Sequence, residues 1–137
     1  MNANGEGAVA SGAPISRRVI GCAFTVSNAL GAGFVESVYE SALCRELVEQ
    51  GIAFERQPSL RVFYKGEVVG SFIADLIIER QLLVELKALR QLTSEHESQV
   101  MNYLKASGLG VGLLLNFGSP KLEIRRIVWG HDDGHSV

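Results

Sequence analysis

No apolar run in this 137-residue chain approaches the ~18 residues a membrane span requires. The first residues also lack the apolar core of a secretory signal, so the expected location is cytoplasmic, without membrane association. A basic excess is missing too: 13 Lys and Arg face 15 Asp and Glu, for a formal charge of −2. That balance argues against a nonspecific polyanion binder and leaves room only for a local basic cleft. Cysteine is scarce. Cys22 and Cys44 lack CxxC spacing and lie among apolar neighbours, which predicts reduced core thiols rather than a redox or zinc site. There is no internal repeat, and Gly31 and Gly33 lack the preceding strand that a dinucleotide or phosphate loop needs.

What is present suits one domain, large enough to bury about two-thirds of its unfolded surface. Residues 1–13 are rich in Gly, Ala, Ser and Asn without periodicity and read as a flexible leader. The domain is expected over 14–129, with a flexible tail over 130–137 whose His131, Asp132, Asp133 and His135 have no apolar anchor. Apolar residues at helical spacing predict a helix over 15–30, stopped by Gly31-Ala32-Gly33, and a second from Phe34 to Gln50, stopped by Gly51. The period then shortens to that of strands over 52–57, 60–64, 68–78 and 82–89. Thr93 and Ser94 offer N-cap oxygens, and Glu97 can complete a capping box with Ser94 for a third helix ending near Ser107. Residues 111–117 are nearly all apolar, suiting a strand covered on both faces, and 122–128 form the last strand. The expected class is α/β, in the order αα-ββββ-α-ββ, with helices on the faces of a mixed central sheet.

Inside this apolar pattern lies Val84-Glu85-Leu86-Lys87-Ala88, with Asp75 in the strand before it. Positions i and i+2 of a strand share a face, so Glu85 and Lys87 project together. If the two strands turn about Arg80, Asp75 stands opposite Glu85. Asp75, Ile77, Leu83, Glu85 and Lys87 then share one face, and Phe72, Ala74, Leu76, Ile78, Val84 and Leu86 the other. Charges on such strands must be paired, hydrated or metal-bound. Two facing carboxylates repel unless a cation intervenes, and oxygen ligands of this kind suit Mg²⁺ or Mn²⁺. A neighbouring Lys can then orient a water or neutralise charge on a phosphate, a layout for phosphodiester hydrolysis. The same spacing also fits a solvated hairpin with weak cross-strand ion pairs.

The Asp75, Glu85, Lys87 series resembles the PD-(D/E)xK nuclease superfamily. Within it, Gly33-Phe34-Val35-Glu36-Ser37-Val38-Tyr39 matches the signature of the GxxExxY proteins. Further similar segments are Phe54-Glu55-Arg56-Gln57, Tyr64-Lys65-Gly66, residues 99–104 and residues 112–118, so the resemblance runs from about Leu30 to Val128. It implies a single-domain nuclease-like fold in which Asp75 and Glu85 hold the metal and Lys87 serves the water or the scissile phosphate. Glu36 corresponds to the helical carboxylate that many members add; a glutamate in the first turn of a helix is also favoured by the helix dipole alone. Gln99 and Tyr103 match a QxxxY element and share one helix face, from which they can orient Lys87 or contact a phosphate; Tyr103 equally suits core packing. Tyr39 would pack beneath the site or bond a ligand, and Glu40 could substitute for Glu36. His96 reads as a solvated first-turn residue. The superfamily's Pro before the Asp is Ala74 here.

The expected function is therefore Mg²⁺- or Mn²⁺-dependent hydrolysis of DNA or RNA, by a homodimer or with a partner subunit. The alternative is a noncatalytic nucleic-acid-binding or protein-interaction module on the same fold. Candidates for contact with a polyanion are Arg17, Arg18, Arg56, Arg61, Arg90 and Lys105.

Overall fold

The computed structural model describes residues 12–130. The proposed leader, apart from its last two residues, and the histidines of the tail lie outside them. Pro14 precedes helix α1 (Ile15–Leu30), which buries Val19, Cys22, Ala23 and Val26. Helix α2 (Glu36–Glu49) follows, and the two helices pack together on one face of the sheet. The sequence spacing predicts Phe34 as the first residue of the second helix. Phe34 lies before it and is exposed, because Gly33 holds φ +119 and the chain turns helical only at Glu36.

The main sheet has five strands in the order β1-β4-β5-β6-β7: β1 (Phe54–Arg56), β4 (Leu76–Ile78), β5 (Leu82–Lys87), β6 (Val111–Asn116) and β7 (Glu123–Val128). Only β5 and β6 run parallel. Their connection passes through α3 (Ser94–Ser107), as a parallel pair requires. Leu76, Ile78, Leu82, Val84, Leu86, Leu113 and Leu115 meet α1 and α2 on one face. Ile77, Leu83, Leu114 and Ile127 meet Val100, Tyr103 and Leu104 of α3 on the other. All six residues of β6 are buried, in keeping with a sequence that is apolar until its last residue, Asn116. Cys22 and Cys44 are buried free thiols, and burial pushes the Cys22 thiol up to about 11. Among the described residues, no helix is long and apolar enough to cross a membrane.

The remaining strands, β2 (Ser59–Tyr64) and β3 (Glu67–Ile73), form a separate antiparallel ribbon. The sequence predicts one strand over 68–78; the structure divides it at Ala74-Asp75 into β3 and β4. The expected αα-ββββ-α-ββ order thus carries one further strand before α3. The register explains the division. β1 pairs with β4 as Phe54↔Ile78 and Arg56↔Leu76, and β2 pairs with β3 as Ser59↔Ile73 and Leu60↔Phe72. Both ladders belong to one long hairpin, bent where Gln57 takes φ 54 next to Pro58. Gln57 N donates to Asp75 O at 2.7 Å and Ala74 N to Pro58 O at 3.1 Å, so the two strands bend as a pair. The bend also corrects the expected faces. Ala74 joins the cluster of Ile77 and Leu83, and Phe72 lies against Tyr103 of α3, instead of both following Leu76.

The third helix matches its expected span, but its cap differs. Thr93 rather than Ser94 is the N-cap. His96 Nδ1, not Glu97, accepts from the Thr93 N–H at 3.0 Å.

Candidate functional site

The bend in the long hairpin places Asp75. β4 pairs with β5 only from Leu76↔Val84 to Ile78↔Leu82, and the same register carried one step further sets Asp75 opposite Glu85. There the side chains replace the ladder. Asp75 N donates to Glu85 Oε1 at 3.1 Å, and Leu86 N donates to Asp75 Oδ2 at 2.7 Å. The two carboxylates are thus locked to opposite strands by backbone bonds rather than left to rotamer choice.

Glu85 is 4 % exposed. Burial, then hydrogen bonding to Asp75 and the charge of Asp75, push its carboxyl well above the ordinary range, and Lys87 only partly opposes them. Without a cation the pair holds a proton best, as two adjacent carboxylates do. Lys87 follows on the same side of β5, half-buried, and among the described residues makes no ion pair within 4 Å. Its charge reaches Glu36 and Glu85.

Glu36 opens α2 and is exposed, with its carboxyl raised by desolvation and by Asp75 and lowered by Lys87. The loop before it is held by Tyr39. Fully buried, Tyr39 donates its hydroxyl to Gly31 O at 2.5 Å, accepts from Phe34 N at 3.1 Å, and stacks on Phe117 with centroids 4.8 Å apart. In Gly33-x-x-Glu36-x-x-Tyr39, then, the glycine permits the turn, the tyrosine ties it down, and the glutamate is presented. Tyr39 thus packs beneath the loop of residues 31–34 that leads into Glu36. Glu40 is engaged elsewhere: it is buried, accepts from Arg56 Nε at 2.8 Å and from Gln57 Nε2 at 3.2 Å, and fastens α2 to the bent hairpin.

Gln99 and Tyr103 come together on α3, with Gln99 Nε2 donating to Tyr103 Oη at 3.3 Å. Desolvation, then Glu85 and Asp75, raise the Tyr103 hydroxyl, which places that ring within the electrostatic reach of the acidic pair. His96 caps its helix. The six cations named for polyanion contact are scattered. Arg18 bonds Gln50 O, Arg56 is paired with Glu40, Arg61 lies on the ribbon, and Arg17, Arg90 and Lys105 lie on α1, after β5 and on α3.

One residue that sequence reasoning left without a role is Asn116. It is fully buried; its Oδ1 accepts from Leu89 N at 2.8 Å and Gly118 N at 3.1 Å, while Nδ2 donates to Leu89 O at 2.9 Å and Glu123 Oε1 at 2.7 Å. It fixes the chain just after Lys87. Gly118 completes this bracket, since a Cβ there would stand 2.2 Å from Leu89 N. The available signal was a lone amide at the end of an apolar strand.

Among the described residues no three His, Cys, Asp or Glu side chains close into a metal-binding cluster. The donor chemistry nevertheless fits a hard divalent cation. Two carboxylates are held side by side on an apolar sheet, a third carboxylate stands within electrostatic reach, and the buried member is destabilised as an anion.

A family model described as the PD-(D/E)XK nuclease superfamily matches residues 13–127. No curated protein matches the sequence. Among solved structures, the crystal structure of SSO0001 is similar with a TM-score of 0.57 and 19% identity, over 70% of this chain and 50% of that one. That likeness concerns the fold, and the chain spans half the length of that protein. With the family model covering nearly every described element and the fold recurring in a solved structure, this chain belongs to the PD-(D/E)XK nuclease superfamily.

Proposed function

We propose that residues 14–129 form a nuclease domain of the GxxExxY type that hydrolyses DNA or RNA phosphodiester bonds with Mg²⁺ or Mn²⁺. The observation that carries this reading is the pair of half-buried Asp75 and buried Glu85, joined by side-chain to backbone bonds, with Lys87 projecting beside Glu85. Asp75 and Glu85 would hold the cation, with Glu36 as a further ligand from α2. When bound, such a cation polarises a phosphate and lowers the pKa of water.

The chain's own groups supply the rest. Lys87, without an ion pair among the described residues, is placed to orient the attacking water or to neutralise charge developing on the phosphate. Asn116 and Gly118 hold the chain that follows it, and Gln99 with Tyr103 walls the site on the α3 side. Glu36 sits at the mouth, where an approaching cation would oppose the upward push that desolvation and Asp75 give its carboxyl.

A second reading is a noncatalytic binding or interaction module. It draws on the absence of a closed three-ligand cluster among the described residues and on the structural bonds that Asp75 and Glu85 already make. Cleavage of labelled single- and double-stranded DNA and RNA in Mn²⁺, Mg²⁺ and EDTA separates the two, with Lys87→Ala purified identically. Metal-dependent cleavage that disappears in the variant supports the nuclease. Absence of both cleavage and Mn²⁺ binding leaves the module.

A further inference from the structure

Beside the acidic pair lies a cleft of about 340 Å³ between the end of the bent ribbon and α3. Phe72 forms one wall, and Ser94, Ser98, Gln99, Asn102 and Tyr103 form the other. Its chemistry is distinctive. The lining contains no Lys or Arg, and its single charged member is the exposed Glu95, so it does not suit a phosphate. It suits a flat, uncharged group with hydrogen-bonding edges. Phe72 is 41 % exposed although it packs against Tyr103, with ring centroids 5.3 Å apart, so part of its surface remains open for stacking. Hydroxyls and amides stand at i, i+4 and i+8 along α3, as Ser94, Ser98 and Asn102. The Oε1 of Gln99 is a buried acceptor without a partner among the described residues, a group that a donor entering the cleft could satisfy.

We propose that this cleft receives one unpaired base of a single-stranded nucleic acid whose backbone passes the Asp75–Glu85 pair. Phe72 lies three residues before Asp75, roughly 10 Å of extended chain, so a base here belongs to a nucleotide close to the scissile phosphate. Farther out, the ribbon carries Arg61 over the Phe63 ring at 5.6 Å and Lys65 over the Tyr64 ring at 5.5 Å. Those cation and aromatic pairs are the usual means of following a single strand. A duplex offers its bases only at the cost of unpairing and unstacking, so it fits the cleft poorly. This inference rests on the nuclease reading and narrows its substrate class.

The test is fluorescence anisotropy of the full chain, with Ca²⁺ replacing the catalytic metal. The probes are a labelled single strand, the same strand with abasic sites, and its duplex. The single strand should bind about tenfold tighter than either other probe. Phe72→Ala and Phe72→Leu should each remove most of that preference, the second preserving bulk against Tyr103, while Phe72→Trp retains it. Asn102→Ala should weaken single-strand binding about threefold without weakening the binding of the abasic strand. Equal binding of the three probes, a Phe72→Leu variant that binds like the unaltered protein, or no binding of any probe would overturn the proposal. Mn²⁺ binding and cleavage, measured separately, distinguish the two failures. Intact metal-dependent cleavage without single-strand preference removes only the cleft; loss of both removes the nuclease reading as well.

Discussion

The two ends of the long hairpin belong to one pair of strands, its register shifted only by a bulge at Val62/Phe63, and have opposite surroundings. At its proximal end, Leu76, Ile77 and Ile78 of β4 are buried between two layers of helices. Beyond the bend, Val68, Val69 and Ile73 of β3 are at least half exposed, and among the described residues β2 is the one element that β3 packs along extensively. Apolar composition therefore does not tell which part of a strand enters the core. The bend at Gln57-Pro58 and Ala74-Asp75 does, and the acidic pair lies at that bend. Where the backbone ladder of β4 and β5 ends, side-chain carboxylates take over the bonding, leaving two acids together at the end of that ladder.

The largest effect that tests this comparison is chemical. Asp75→Asn keeps the shape of the bend but removes half of the acidic pair; on the nuclease reading it should lower metal-dependent cleavage at least about a thousandfold in a single-turnover assay. The two ends of the hairpin should next respond differently to truncation. Leu76→Ala should cost about 3 kcal/mol in urea unfolding, as a fully buried leucine whose space refills only in part.

A third prediction concerns the bend itself. The Glu85 carboxyl is raised in the folded protein above its ordinary 4.5, so its contribution to stability is fully present below that pH and is lost as pH rises toward the folded value. Metal-free protein should therefore melt lower at pH 8 than at pH 6 through this group, and Glu85→Gln should melt higher than the unaltered protein at pH 8. Added Mn²⁺ should reverse that order, because only the intact pair gains from the cation. Differential scanning fluorimetry with and without Mn²⁺ checks both signs. The smallest effect belongs to the distal end. Val69→Ala, 60 % exposed, should change unfolding free energy by no more than about 0.5 kcal/mol, and β3 amides should exchange hydrogen faster than those of β4.

Much of the fold was legible because its signals are local. The α1 span from Ile15 to Leu30 follows directly from apolar spacing after Pro14, and α3 from Ser94 to Ser107 follows from cap residues and a stopping glycine. Period-two alternation also put Glu85 and Lys87 on one side of β5 and gave the cross-strand position of Asp75. The break in the strand over 68–78 was not legible. It depends on Gln57 adopting a positive φ without being glycine, a choice imposed by the paired strand and by Glu40, which holds the Gln57 side chain. Nor could spacing separate Glu36 from Glu40. Both lie on α2, and only the approach of Arg56 from β1 consumes one of them. Asn116 was hidden for the same reason, since its partner Leu89 lies 27 residues away.

The sequence by itself determined the spans of α1 and α3, the apolar strands β5 and β6, the shared side of Glu85 and Lys87, and membership of the superfamily. Each of these depends on residue type and period along one stretch of chain. Only the tertiary structure decided that the hairpin bends at Asp75, that Tyr39 and Asn116 anchor the segments beside the site, and that a cleft without Lys or Arg opens between Phe72 and α3. Those features depend on which backbone groups remain unpaired once the strands meet, and the chain satisfies them with side chains drawn from distant positions.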